Sequence, residues 1–485
     1  MFRKLIILPV LWMPFFLTAQ GVSFSMDDPS VRERIVQDMA VLASDSLEGR
    51  QSGTEGERRA ARYLCAQFAA IGLQPKGDTA GSYCQRFSKY EVGYHWSTRL
   101  VVNEVPYVYR EAFGVTALSM NGHGLGTLVD GRQGLVIPEL KIDQLSGLGD
   151  LKGKFVLMDL HASENLVKDT SVVSKLTPRF RMLSALRKGA LGVIFWNPDS
   201  PWFTGLFDFE SSDTLPGLAL YVNRATAEQI IKNSGAKAEV NVQISRKTIV
   251  CSNVVGMIAN HAPRTIVIGA HYDHLGLKNG NKIFSGADDN ASGTAGMLEV
   301  ARYFAVHRDT LNNYLFIGFT GEEEGLWGSG YFVKHPAIPL DSIRFMLNLD
   351  MIGRLGCEGN RVEIEAAGSS AEWHDILQNT PHPGFSLKKV NASLPYSDHD
   401  PFYKAKIPVL FINTGLHDDY HTVRDKASTI NYDGMVEIMR FAEGIITSSN
   451  QEDSIRYRQV PFTAQASASF GFFFQALDWL FTAKN

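Results

Sequence analysis

The chain is poor in cysteine, has no surplus of positive charge, and lacks an apolar run long enough to cross a membrane. Its 485 residues hold four cysteines, Cys65, Cys84, Cys251 and Cys357. That is too few for a disulfide scaffold, and no Cys-x-x-Cys occurs to suggest a thiol metal or redox motif. The formal net charge of −4 leaves no basic footprint for nucleic acid. Two terminal apolar stretches, Leu5–Leu17 and Phe470–Phe481, are too short to span a bilayer. Internal repeats and low-complexity tracts are absent, which argues against solenoids and linkers.

What is present fits a soluble globular protein: 45% hydrophobic and 20% charged residues, at a length that suggests two or three domains. Arg3 and Lys4 precede Leu5–Leu17, and Thr18-Ala19-Gln20-Gly21 follows. A charged start, an apolar stretch and small residues form the pattern of a secretory signal over residues 1–20. The chain is therefore expected to be exported, to the periplasm or outside the cell, with no transmembrane segment in the mature form. Pro9 and Pro14 speak against an anchor, and the lack of a nearby Cys against a lipid attachment. An oxidising compartment admits one disulfide. Cys65 on a helix and Cys84 in the extended segment after it form the candidate pair, the alternative being two buried free thiols.

The pattern along the chain predicts helices over Val31–Leu42 and from about Glu57 to Ile71, separated by the polar, Gly-punctuated stretch Ser44–Glu57. From about Val105 the texture shifts to short strand-like runs between Gly turns, with helices at Arg179–Lys188 and Ala225–Ser234. Beyond Arg246 a regular alternation resumes. Strands are expected at Cys251–Ile258, Thr265–Ala270, Tyr314–Thr320, Phe345–Asp350, Val362–Glu365 and Ile407–Asn413, and helices at Ser292–Ala305, Ala371–Asn379 and Tyr432–Ile446. Continuous apolar strands alternating with helices predict an α/β fold with a mostly parallel mixed sheet flanked by helices. The expected division is a signal at 1–20, a main domain over 21–105 and 247–450, a smaller α/β module inserted at 106–246, and a tail at 451–485.

Candidate metal ligands collect at the carboxyl ends of these strands, where open α/β sheets place their active crevice. His271 follows Thr265–Ala270, Glu322, Glu323 and Glu324 follow Tyr314–Thr320, and Asp350 ends its strand. His421 lies beyond Ile407–Asn413, and Asp289 opens the helix near Ser292. Two His and three carboxylates suit a pair of zinc-like ions that share one carboxylate. Metals about 3.5–4 Å apart can clamp a bridging water and lower its pKa. A base that is not itself a ligand is also required. The neighbours Glu322 and Glu323 can divide these tasks, since adjacent side chains in an extended segment point different ways.

The motifs HYD, GADDNASG, GEEEGLWGS, LNLDMIG and YHTVRD, in that order, resemble the di-zinc aminopeptidase and glutamate carboxypeptidase family, metallopeptidase family twenty-eight. The likeness covers roughly Ser44–Gly72 and Val254–Glu443. It implies two Zn²⁺ per chain, with His271 and Asp350 completing one site, Glu323 and His421 the other, and Asp289 bridging them. It makes Glu322 the general base and Asp273 the carboxylate that orients His271. A cis peptide is expected at Asp289–Asn290. The inserted block, through LKGKFVLMDL and RKGALGVIFWN, resembles a protease-associated domain, which brings no catalytic residues. The implied activity is an aminopeptidase acting on peptides with a free N-terminus. A carboxypeptidase or dipeptidase, a glutaminyl cyclase, and a receptor-like binding protein are the alternatives.

Neighbouring residues receive plainer readings. With 13 His in the chain, most are not ligands. His274 is read as a supporting or loop residue, His417 as the loser to His421, and His399 as part of the pocket or a hydrogen-bond network. Asp288 and Glu324 are read as capping or solvated groups. Trp327, Phe402 and Tyr403 are read as core or cleft wall. Arg50 and Glu48 lie in the first Gly loop, where spacing alone does not say whether they reach the cleft.

Overall fold

The computed structural model describes residues 25–460 apart from 110, 117, 162–165, 167–171, 198–213, 233–234, 279–280 and 358. The expected signal at 1–20 and the apolar stretch 470–481 lie outside the described residues. The chain forms two compact units, one of residues up to Arg86 together with those from Cys251, the other Phe87–Val250.

The first unit is built on a nine-stranded sheet. Its centre is four parallel strands in the order Asn313–Phe319, Thr265–His271, Ile343–Leu349 and Val409–Asn413. Ile244–Ile258 adds antiparallel on one side, and Arg361–Glu365 antiparallel on the other. Every residue of the four central strands is buried. Strands covered on both faces need continuous apolar runs, and for that reason their positions could be read from composition. One face packs under the helices Pro29–Leu42, Glu55–Ile71, Gly293–Val306 and Tyr432–Ser449, through Val31, Ile35, Leu64, Phe68, Leu298, Met439 and Ile446. The other buries Phe332 and Phe402 against Phe319.

The helix Glu55–Ile71 shows the local logic. Thr54 caps it, its Oγ accepting from the Glu57 N–H at 3.4 Å, and Gly72 ends it at φ 86°. Ala60, Leu64 and Phe68, four residues apart, form its buried stripe. Two short helices, Trp327–Lys334 and His399–Lys404, had no sequence expectation. At 8 and 6 residues they are too brief to show a period.

The second unit holds an eight-stranded sheet with the helices Pro178–Arg187 and Arg224–Lys232. It begins at Phe87, ahead of the expected 106, and ends at Val250 rather than 246. The physical reason is pairing: Arg99–Val102 lies antiparallel to Lys237–Val242, and Val105–Tyr107 pairs with Arg99–Val102. Among the described residues, no helix is long and apolar enough to cross a membrane.

Candidate metal centre

The candidate ligands sit at or past the carboxyl ends of the four central parallel strands. His271 is the last residue of its strand, and Asp350 follows Ile343–Leu349 directly. Gly321, at φ 72°, turns the chain after Asn313–Phe319 so that Glu322 and Glu323 come back over the sheet edge. Gly286, at φ 53°, begins the turn that presents Asp289. A Cβ at Gly286 would lie 2.1 Å from the Asp289 carbonyl and 2.4 Å from the His274 ring, so only glycine fits. The Asp289–Asn290 peptide is cis, as expected. Asn290 holds this turn against the neighbouring strand end by donating to the Leu349 carbonyl at 2.9 Å.

Two ligand groups form, and Asp289 belongs to both. One is His271, Asp289 and Asp350; the other is His274, Asp289, Glu323 and His421. In each, the donor atoms lie within 4.8 Å of one another. His271 Nε2 is 3.3 Å from Asp289 Oδ1 and 3.3 Å from Asp350 Oδ1. His421 Nε2 is 2.9 Å from Asp289 Oδ2 and 3.1 Å from Glu323 Oε2. The two oxygens of Asp289 thus face opposite groups. Glu322 Oε2 lies 4.0 Å from His271 Nε2, outside both.

Second contacts fix these side chains. Asp350 Oδ2 accepts from Ser397 Oγ at 2.8 Å, and Ser397 Oγ accepts in turn from Asn348 Nδ2 at 2.7 Å. The backbone N–H groups of Asp288 and Asp289 donate to the Asp425 carboxylate. Asp273 acts less directly than expected. Its carboxylate is 3.6 Å from His271 Nδ1, beyond hydrogen-bond length, and its backbone carbonyl is nearer at 3.3 Å. The carboxylate instead accepts from Ser52 Oγ at 3.1 Å and from the Glu322 N–H at 3.3 Å, linking the His271 loop to the Glu322 loop.

The electrostatics call for cations. Burial opposes protonation of His271, yet Asp350, Glu322, Asp273 and Asp289 outweigh it and hold its pKa well above the usual value. Burial likewise opposes protonation of His421, but Glu323 and Asp289 push it up to about 10. Burial, joined by the charges of Asp350, Glu323 and Asp398, drives Glu322 well above the carboxylate range against the pull of His271. His271 Nε2, His421 Nε2 and Asp350 Oδ1 are buried without a hydrogen-bond partner. Buried polar atoms left open in this way, aimed at one another with imidazole and carboxylate chemistry, fit zinc ions that replace protons.

His274 stands in the second group as a supporting residue, the role its sequence position suggested. Its Nδ1 lies 2.6 Å from Glu323 Oε1, so it holds the oxygen turned away from His421. Tyr420 was missed altogether; its ring stacks on His421 at 3.8 Å. A signal existed in each case, since both are adjacent in sequence to a chosen residue. Other candidates lie elsewhere. His417 Nε2 pairs with Asp288 Oδ2 at 3.1 Å, the carboxylate accepting, and Asp288 Oδ1 accepts from the Gly353 N–H. His399 stacks on Phe411, and burial lowers its pKa to about 3. Glu48 pairs with Arg59, and Glu324 is exposed. Arg50 is buried behind the site rather than facing it. Trp327 and Phe402 are buried. Cys65 and Cys84 stand with their Sγ atoms 3.8 Å apart and unbonded.

Comparison with known proteins agrees with this architecture. Residues 253–445 match the family model described as Peptidase family M28. The leucine aminopeptidase 1 of Leptosphaeria maculans is 27% identical over 222 residues, which cover 40% of this chain and 55% of that protein. A probable leucine aminopeptidase of Trichophyton verrucosum is 28% identical over 235 residues, 45% of this chain and 61% of that one. The chain thus spans little more than half the length of these curated relatives. Among solved structures, an aminopeptidase from Aneurinibacillus sp. strain AM-1 superposes with a TM-score of 0.62 at 19% identity, over 89% of this chain and 96% of that one, which establishes a shared fold. The likeness to peptidase family M28 thus lies in residues 253–445, the stretch that carries every candidate ligand.

Proposed function

We propose that this chain is a zinc-dependent aminopeptidase that binds two Zn²⁺ and removes N-terminal residues from peptides. One observation carries the reading: two ligand groups share Asp289, with a carboxylate that belongs to neither, Glu322, beside them. His271 and Asp350 complete one group, and Glu323 and His421 the other, with His274 supporting Glu323. The names of the curated relatives point to the same reaction.

Bound zinc supplies a water of lowered pKa and a polarised scissile carbonyl. Glu322 accepts the proton of the attacking water and delivers it to the leaving amine. Asp273 sets the Glu322 main chain through the N–H bond, so that the base keeps its distance from His271. The excess of carboxylates around the site suits a protonated α-amine, which favours a free N-terminus over a blocked one. The unit Phe87–Val250, whose segments resemble a protease-associated domain, holds none of these residues. The residues ahead of those described carry the pattern of a secretory signal, so the proposed site of action is the periplasm or the medium.

The test is Glu322→Gln. The variant is expected to take up zinc as the parent does and to lose nearly all turnover, because the amide cannot accept a proton. Near-normal turnover would remove Glu322 from its role. A substrate panel tests the direction of attack: cleavage of free-amine aminoacyl substrates but not of their acetylated forms is expected. Preference for acetylated substrates or for C-terminal residues would replace the aminopeptidase reading with a carboxypeptidase or dipeptidase. Release of cyclised N-terminal glutamine would point to a cyclase, and a chain that binds peptide without cleaving it to a receptor-like protein.

A further inference from the structure

The polar stretch between the first two helices contains a side chain with no place in the chemistry above. Arg50 is fully buried and sits at φ 54°, in the left-handed region. Its guanidinium is spent on backbone carbonyls. Nε donates to the Tyr272 carbonyl at 2.7 Å, between His271 and Asp273. One terminal nitrogen donates to the Ser285 carbonyl at 2.7 Å and also to Leu42, and the other donates to Gly286 at 2.9 Å, just before Asp288 and Asp289. The Arg50 carbonyl in turn accepts from the His274 N–H at 3.3 Å. The loop is wedged in place: a Cβ on Gly49 would lie 2.4 Å from the Phe284 carbonyl and 2.7 Å from that of Gly276.

We propose that Arg50 is a positioning residue for the two-zinc site, cross-linking the His271–His274 segment to the turn that presents the shared Asp289. The inference rests on the zinc reading above. These two segments belong to different parts of the sheet edge, and the bridging geometry requires that they keep a fixed separation. A planar fork can bond carbonyls on several segments at once, whereas a lysine ammonium offers one compact group at the end of a flexible stem. Charge works in the same sense. Burial lowers the Arg50 pKa to about 10, with Asp273, Asp289, Asp425 and Glu323 supporting the cation. A permanent positive charge thus lies behind a cluster of carboxylates and helps to hold it together before metal arrives.

The test uses the purified full chain with Arg50→Lys and Arg50→Met, and Arg344→Met as a control. Arg344 is another buried arginine; it bonds the carbonyls of Ser449 and Glu452, which lie on no ligand segment. Zinc affinity is measured by competition with a chromophoric chelator, and the free zinc needed for half-maximal activity is measured in parallel. Both Arg50 variants are expected to bind zinc about tenfold or more weaker, the range typical of groups that orient metal ligands. The activity midpoint should move to higher zinc by a similar factor, while Arg344→Met keeps the parental affinity. Should Arg50→Met fail to fold, Arg50→Lys decides. Parental zinc affinity in Arg50→Lys overturns the inference, and so does an equal loss in Arg344→Met, which would mark a general effect of removing a buried arginine. A parental chain that takes up no zinc overturns the zinc reading itself, and the inference with it.

Discussion

Ser397→Ala separates the two halves of the proposed metal centre. Ser397 Oγ donates to Asp350 Oδ2 at 2.8 Å and accepts from Asn348 Nδ2 at 2.7 Å. The substitution removes a bond to a charged acceptor, worth about 1.5–3 kcal/mol, and leaves the Asn348 donor buried without a partner, which costs about 1–3 kcal/mol. The second loss falls mainly on folding stability. The first falls on Asp350, which belongs only to the His271 group. At about 1.4 kcal/mol per factor of ten, the zinc on that side should bind roughly 10–100 times more weakly. The zinc on the Glu323 side should change little. His274→Ala is the mirror experiment, since it frees Glu323 Oε1 and leaves Asp350 untouched. Calorimetric zinc titration of the parent and both variants resolves the two events. Equal weakening of both zincs in each variant, or no weakening in either, would refute the idea that each half has its own support.

Two further outcomes follow from the structure. Glu365 is buried with Oε2 unpartnered, and burial raises its pKa to about 8. In the unfolded chain a glutamate ionises near 4.3. The unfolded state therefore loses this proton first, and stability falls as pH rises from about 4.5 to 8. Glu365→Gln should lessen that fall, and denaturant melts at pH 5 and pH 9 that show the same difference between variant and parent would contradict it. Cys65 and Cys84, with sulfurs 3.8 Å apart, should close a disulfide when the protein is incubated with oxidised glutathione. Each bridge formed there consumes two thiols and reduces one glutathione disulfide. The bond would stabilise the fold by about 3 kcal/mol through its short loop. Peptide mass mapping checks the link, and two thiols that remain free to alkylation would rule it out.

The sheet and most of the site were legible in the chain for a common reason. Thr265–His271 and its three parallel neighbours are buried on both faces, so their cores are largely apolar and the ligand-type residues that follow them stand out. The boundary of the inserted unit was harder to read. Arg99–Val102 looks like any short strand until its partner Lys237–Val242 is known, and that partner lies far along the chain. The partner of His274 was not legible because spacing cannot tell which way a side chain turns in a loop. That partner, Glu323, comes 49 residues later. Arg50 carries no motif that announces its acceptors, because they are main-chain carbonyls of residues whose side chains point elsewhere.

The arrangement of the first unit also sets the order in which it can assemble. Its helices Pro29–Leu42 and Glu55–Ile71 precede the insertion, whereas the central strands that they cover follow it. Arg50 meets the Tyr272 carbonyl across 222 residues of chain. At typical synthesis rates of about 5–20 residues per second, those helices wait on the order of tens of seconds for a sheet to rest on. During that interval the stripe of Ala60, Leu64 and Phe68 has no permanent partner. The Phe87–Val250 unit, contiguous in sequence, can fold in the meantime. The proposed metal centre has no local precursor. Its candidate ligands run from His271 to His421, so zinc uptake should report completion of the whole discontinuous unit.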